Sequence, residues 1–134
     1  MITEDYVSFE TAKLLKKKGF DGILPFIYVN TEKSDREVHL MDTLCNYNDG
    51  HVKDIISAPT LQMAMKWLRE VHNLFIQICI IPHTTITMEQ KYYFFTIHKD
   101  RRTLAFRKDF PSEYYFTYEE ACEAAIKYCL ENLI

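Results

Sequence analysis

Glycine and proline are scarce in this sequence: three glycines and four prolines in 134 residues. A phosphate-cradling loop needs clustered glycines, and neither G-x-x-x-x-G-K-[ST] nor G-x-G-x-x-G occurs. Few breakers also mean few long loops. No C-x-x-C pair joins any of the four cysteines, and Cys122 and Cys129 are seven apart on a helical pattern, beyond disulfide reach. No H-E-x-x-H is present among the five histidines. Cys79 and His83 form one ligand-like pair with no second pair at zinc spacing, so no metal or other cofactor is expected. No G-x-S-x-G elbow appears. The opening MITEDYVSFE has no basic stretch leading into an apolar one, so no secretory signal is expected. The longest apolar run, LFIQICIIP at 74–82, is too short to span a bilayer. These absences point to a cytoplasmic protein with reduced thiols and no membrane contact.

What the chain does hold is a globular balance, 48% hydrophobic and 26% charged, with nine Phe and nine Tyr. The length fits one domain over 1–134. The net charge of −3 places nucleic-acid binding at a disadvantage.

One outline occurs three times: SFETA at 8–12, TLQMA at 60–64 and TYEEA at 117–121. Ser8, Thr60 and Thr117 are good N-cap residues, because a hydroxyl accepts from the free N–H groups of a first turn. Thr117 to Glu120 fits the capping box. The repeat therefore reads as three helix starts rather than a reactive centre. Helices are predicted over 9–18, 61–72 and 118–132. Lys16, Lys17 and Lys18 match the negative end of the first helix, and Gly19 fits its left-handed cap. In the second, Leu61, Ala64, Met65, Leu68 and Val71 form a stripe, with Met63 and Trp67 beside it. In the third, Ala121, Cys122, Ala125 and Cys129 give a small-residue face, and Glu123 is placed to pair with Lys127.

Strand signals lie between the helices at 25–29, 37–41, 74–81, 91–98 and 103–106, with a brief one at 113–116. The order α-β-β-α-β-β-β-α predicts an α+β fold: a mostly antiparallel sheet of about five strands carrying three helices. Residues 74–81 and 92–97 are apolar on both faces, where a sheet with one wet face would alternate. This argues for cover on both sides or for contact with another molecule. The expected function is accordingly a non-enzymatic protein contact, with a homodimer or a protein partner meeting the sheet around Tyr92 and Phe94.

Two other classes rank lower. KDRRTLAFRKD at 99–109 offers Arg101, Arg102, Arg107 and Lys108 on a hairpin, as β-ribbon readers of DNA do. Helix two through helix three shares the order α-β-β-β-α with double-stranded RNA-binding domains. Their basic second-helix start falls here on the acidic TYEEACE, which counts against RNA. A small enzyme or ligand binder would use Trp67 or Cys45. Cys45 and His51 are close in sequence, but CNYNDGH reads more simply as a polar loop.

The segments SFETAKLLKKKGFD, SAPTLQMAMKWLREVHN and YEEACEAAIKYCLENLI resemble a group of small uncharacterised bacterial proteins encoded by gut-bacterial prophages and other mobile elements. The resemblance covers the helical segments, a little under half the chain. It implies an accessory role on a mobile element and brings no activity, cofactor or site.

Overall fold

A computed structural model describes residues 2–81, 92–105 and 114–134. Each hydroxyl-led pentad opens a helix: α1 Phe9–Lys17, α2 Leu61–His72 and α3 Tyr118–Asn132. Ser8 Oγ accepts from Thr11 N at 3.2 Å, Thr60 Oγ1 from Met63 N at 3.2 Å, and Thr117 Oγ1 from Glu120 N at 3.0 Å. The capping box of α3 is shifted on its acidic side. Glu120 Oε2 accepts from Phe116 N at 3.3 Å, one residue before the cap.

The helices stop for equally local reasons. Phe20 N donates to Leu15 O at 2.9 Å and Gly19 N to Lys16 O at 3.1 Å. That is the Schellman pattern, and the φ of +92° at Gly19 permits it. Asn73, at φ 56°, is the left-handed cap of α2.

Between the helices lie six strands: β1 Leu24–Val29, β2 His39–Cys45, β3 Ile55–Ser57, β4 Phe75–Ile80, β5 Tyr93–Lys99 and β6 Arg102–Ala105. They form two antiparallel three-stranded sheets, β2-β1-β3 and β4-β5-β6, rather than one sheet of five. The α+β class is as expected; the partition and the order are not. β3 was not anticipated, since three residues carry no period. Of the strand expected at 113–116, residue 113 lies outside the described residues, and 114–116 hold a single bridge, between Tyr93 and Tyr115. The segment expected to end at 41 runs on to Cys45, so Cys45 closes a strand instead of sitting in a loop.

The two sheets and three helices share one apolar cluster. It joins Leu24, Tyr28 and Ile56 of the first sheet to Phe95, Ile97 and Ala105 of the second through Leu68 of α2 and Ile126 of α3. α3 packs on α1, α2, β4 and β5, and its small residues Ala121, Cys122, Ala125 and Cys129 are buried there. Leu130 joins that face. Glu123 does not pair with Lys127: its Oε1 accepts from Ser8 N at 3.1 Å, while Lys127 reaches Glu131 at 3.8 Å. On α2 the stripe holds through Leu68, but Val71 faces outward and Trp67 takes the buried place.

A separate small cluster lies on the other face of the first sheet. Ile27 and Ile55 point away from Phe26, Tyr28 and Ile56, and Tyr47 folds back onto them with Met41 and Cys45.

Candidate functional site

The alternation in β5 puts Tyr92, Phe94, Thr96 and His98 on one face of the second sheet and Tyr93, Phe95 and Ile97 on the core side. Phe94 sits opposite Cys79, and His98 opposite Phe75. Tyr92 packs against Phe116 at 5.5 Å and Tyr114 at 6.3 Å between ring centroids. Phe116 is 69% exposed and Phe75 44%. At the other end of this face His98 stands between Thr96 Oγ1 (2.9 Å) and Thr103 Oγ1 (3.2 Å).

The charged connection is a two-residue hairpin turn. Asp100 and Arg101 both have positive φ, 49° and 66°, as a type I′ turn needs, and Lys99 pairs with Arg102. Asn73 Nδ2 donates to Asp100 Oδ1 at 2.6 Å and ties the turn to the end of α2. Arg101 and Arg102 are exposed at the tip. Arg107 and Lys108, expected beside them, lie outside the described residues, as does His83.

The three helix starts gather at one end of the molecule. Tyr6, just before α1, bridges to Thr60, and Ser8 N donates to Glu123 of α3. An open cleft of about 610 Å³ forms between them, with Ser8, Leu61, Tyr115, Glu119, Glu120 and Glu123 in its wall. By sequence the pentads are caps that share no centre. They are caps, yet their helices do converge, because the short extended segments before α1 and α2 pair with each other. Tyr28 closes the floor: its hydroxyl donates to Val7 O at 2.6 Å, and burial first, then Glu123 and Glu37, push its pKa up to about 12. Glu123 Oε2 is buried with no partner among the described groups. Glu4, Asp5, Glu119, Glu120 and Glu123 line the cleft with no basic side chain among the described lining residues, more negative charge than helix N-termini of about +0.5 each offset, so the cleft is net acidic.

A third arrangement was set aside in the sequence and is assembled in the fold. Cys45 Sγ lies 3.6 Å from His51 Nε2, and His51 Nδ1 is hydrogen-bonded to Asp49 Oδ1. Asp49 Oδ1 also accepts from His51 N at 2.9 Å, and these two bonds, backbone first, hold its carboxyl below the usual range. The ring of Tyr47 stacks on the imidazole at 5.8 Å with 27° between planes. Tyr47 is itself buried, and its hydroxyl donates to Thr43 O at 2.6 Å. Asn48 locks the segment from beneath, donating through Nδ2 to Phe20 O at 3.0 Å and accepting from Ser57 N at 2.9 Å. Asp49 belongs to the CNYNDGH stretch that reads by sequence as a polar loop. The D-x-H spacing beside a cysteine that ends an apolar strand was the sign to follow.

Trp67 is a core residue, with its ring against Phe20 at 5.6 Å and His72 at 4.7 Å. All four cysteines are free thiols. Burial pushes Cys122 up to about 11, Cys129 up to about 12 and Cys79 upward. Among the described residues no three His, Cys, Asp or Glu side chains are grouped as metal ligands, and no helix is long and apolar enough to cross a membrane.

No protein-family model matches the chain, and neither a curated protein nor a solved structure matches it significantly.

Proposed function

We propose that this protein works through protein contacts, as a homodimer that joins two copies by the outer face of the second sheet. The observation that carries the reading is Phe116, 69% exposed, seated against Tyr92 on a face that also presents Phe75. Covering a phenylalanine is worth about 1.5–3 kcal/mol, so aromatic rings in this position favour a partner surface. The second copy is the simplest occupant, because a two-fold contact sets the same aromatic patch against itself. Four free thiols fit a reducing cytoplasm. The resemblance of the helical segments fits an accessory protein of a mobile element.

The nucleic-acid reading is weaker. Within the described hairpin Arg101 and Arg102 flank a tip that also carries Asp100, and the chain is net acidic. The test is light scattering after size exclusion at tens of micromolar, for the native chain and for Phe116→Ser. The proposal expects a dimer that the substitution converts to monomer with unchanged circular dichroism. A native chain that runs as a monomer overturns it.

A further inference from the structure

We propose that Cys45 is a nucleophilic thiol, served by His51 and Asp49, that exchanges with small disulfides to form a mixed disulfide on the protein. The geometry has the three members that an activated nucleophile needs: a thiol, a base within reach, and a group that orients the base. Sγ faces Nε2 at 3.6 Å, and the opposite ring nitrogen is held by Asp49. That hydrogen bond sets the tautomer in which Nε2 has its lone pair toward the sulfur. Tyr47 fixes the plane of the ring, and Tyr47 is anchored in the small cluster on the first sheet. The arrangement is therefore built on a strand end and a packed aromatic ring.

The surroundings select the chemistry. His51 and Asp49 have side chains 45% and 49% exposed, and Cys45 is half-buried. Acyl transfer needs a dry site with donors aimed at a developing oxyanion. Disulfide exchange needs a thiolate, for which His51 is the base, in-line access to a sulfur, which the open surface gives, and a good leaving thiolate, which the disulfide itself carries.

The step balances as follows. The Cys45 thiol gives its proton to His51 Nε2, leaving a thiolate beside an imidazolium. The thiolate attacks one sulfur of the disulfide. The Cys45–S bond forms as the old S–S bond breaks, and the departing thiolate leaves with the bonding pair. A basic thiolate takes the proton from His51, an acidic aromatic one departs as the anion and His51 gives its proton to water, and either way the imidazole returns to its neutral form. Cys45 is oxidised and half of the disulfide is reduced, with no other reagent. The other three thiols are disfavoured by burial.

The probe is an aromatic disulfide that releases a coloured thiolate, applied to the native full chain, with peptide mass spectrometry to locate the modified cysteine. At pH 7 an ordinary thiol is ionised to a few per cent, so pairing with His51 raises the rate about ten-fold after allowing for its lower intrinsic nucleophilicity. The expected result is one fast thiol, at Cys45, absent in Cys45→Ser. His51→Gln should slow it about ten-fold at pH 7. Asp49→Asn should have the same sign and a smaller effect. Besides His51 and Asp49, Tyr47 and Asp42 are the titratable groups at this site. Equal rates for all variants once unfolded in urea separate activation from misfolding. A Cys45 that reacts no faster than a free small thiol, or a His51→Gln rate equal to that of the native chain, overturns the proposal.

Discussion

The two sheets meet the same difficulty in different ways. Each has three antiparallel strands, each is apolar on both faces, and each gives its inner face to the common core. The first covers the Ile27 and Ile55 part of its outer face with its own chain, through Tyr47, while Leu40 and Leu44 of β2 stay 74% and 64% exposed. The second keeps Phe116 69% exposed against Tyr92 at one end of its outer face and Phe75 44% exposed opposite His98 at the other, with Thr96 buried between them. The returning segment of the first sheet is also what brings His51 to Cys45. Cover on one sheet is thus tied to the pairing of Cys45 with His51, and the exposed rings of the other to the proposed contact.

The sharpest way to break this comparison is to remove one aromatic ring from each sheet. Tyr47→Ala empties a buried site and should cost about 3 kcal/mol of unfolding free energy, measured by urea denaturation. It should also release His51, so that the reactivity of Cys45 falls to that of an ordinary thiol. Phe116→Ser removes an exposed ring and should change the monomer's stability by less than about 0.5 kcal/mol. Equal losses from the two substitutions would mean that the sheets are covered alike.

The comparison also marks what could be read from residue order. Helix starts and stops were readable because caps are local: Ser8 to Thr11, Thr60 to Met63 and Gly19 to Lys16 are all bonds within three residues. The two-faced character of β4 and β5 was readable for the same reason. The division into two sheets was not, since it depends on β1 choosing β2 and β3 as neighbours, and Ile55–Ser57 is too short to show a period. The reach from Cys45 to His51 was hidden as well. It depends on Gly50 at φ +88° turning the chain, and on Asn48 bonding to Phe20, 28 residues away.

A mid-sized effect tests whether the three caps are equivalent. Thr60→Ala and Thr117→Ala should each cost about 1 kcal/mol, because each leaves one first-turn N–H without its hydroxyl. Thr60 is buried beside the first sheet, so water does not replace its bond, and it should lose more than the exposed Thr117. The reverse order in thermal melts would place the weaker link at the first sheet rather than at α3.

The smallest expected effect concerns pH, at the point where α2 meets the second sheet. His72 lies against Trp67, its Nε2 is buried without a partner among the described groups, and it is lowered from 6.5 first by burial and then by the Lys99 charge. The unfolded chain binds the proton more readily, so stability is greatest above pH 6.5 and declines as pH falls from there through the lower folded value. His72→Phe keeps a ring against Trp67 and removes the titration. Denaturation midpoints of the native chain should drop between pH 7 and pH ~5.5, and the variant should drop less over the same window, by the share that His72 carries. A variant whose midpoint follows the native curve would show that His72 takes its proton as easily folded as unfolded.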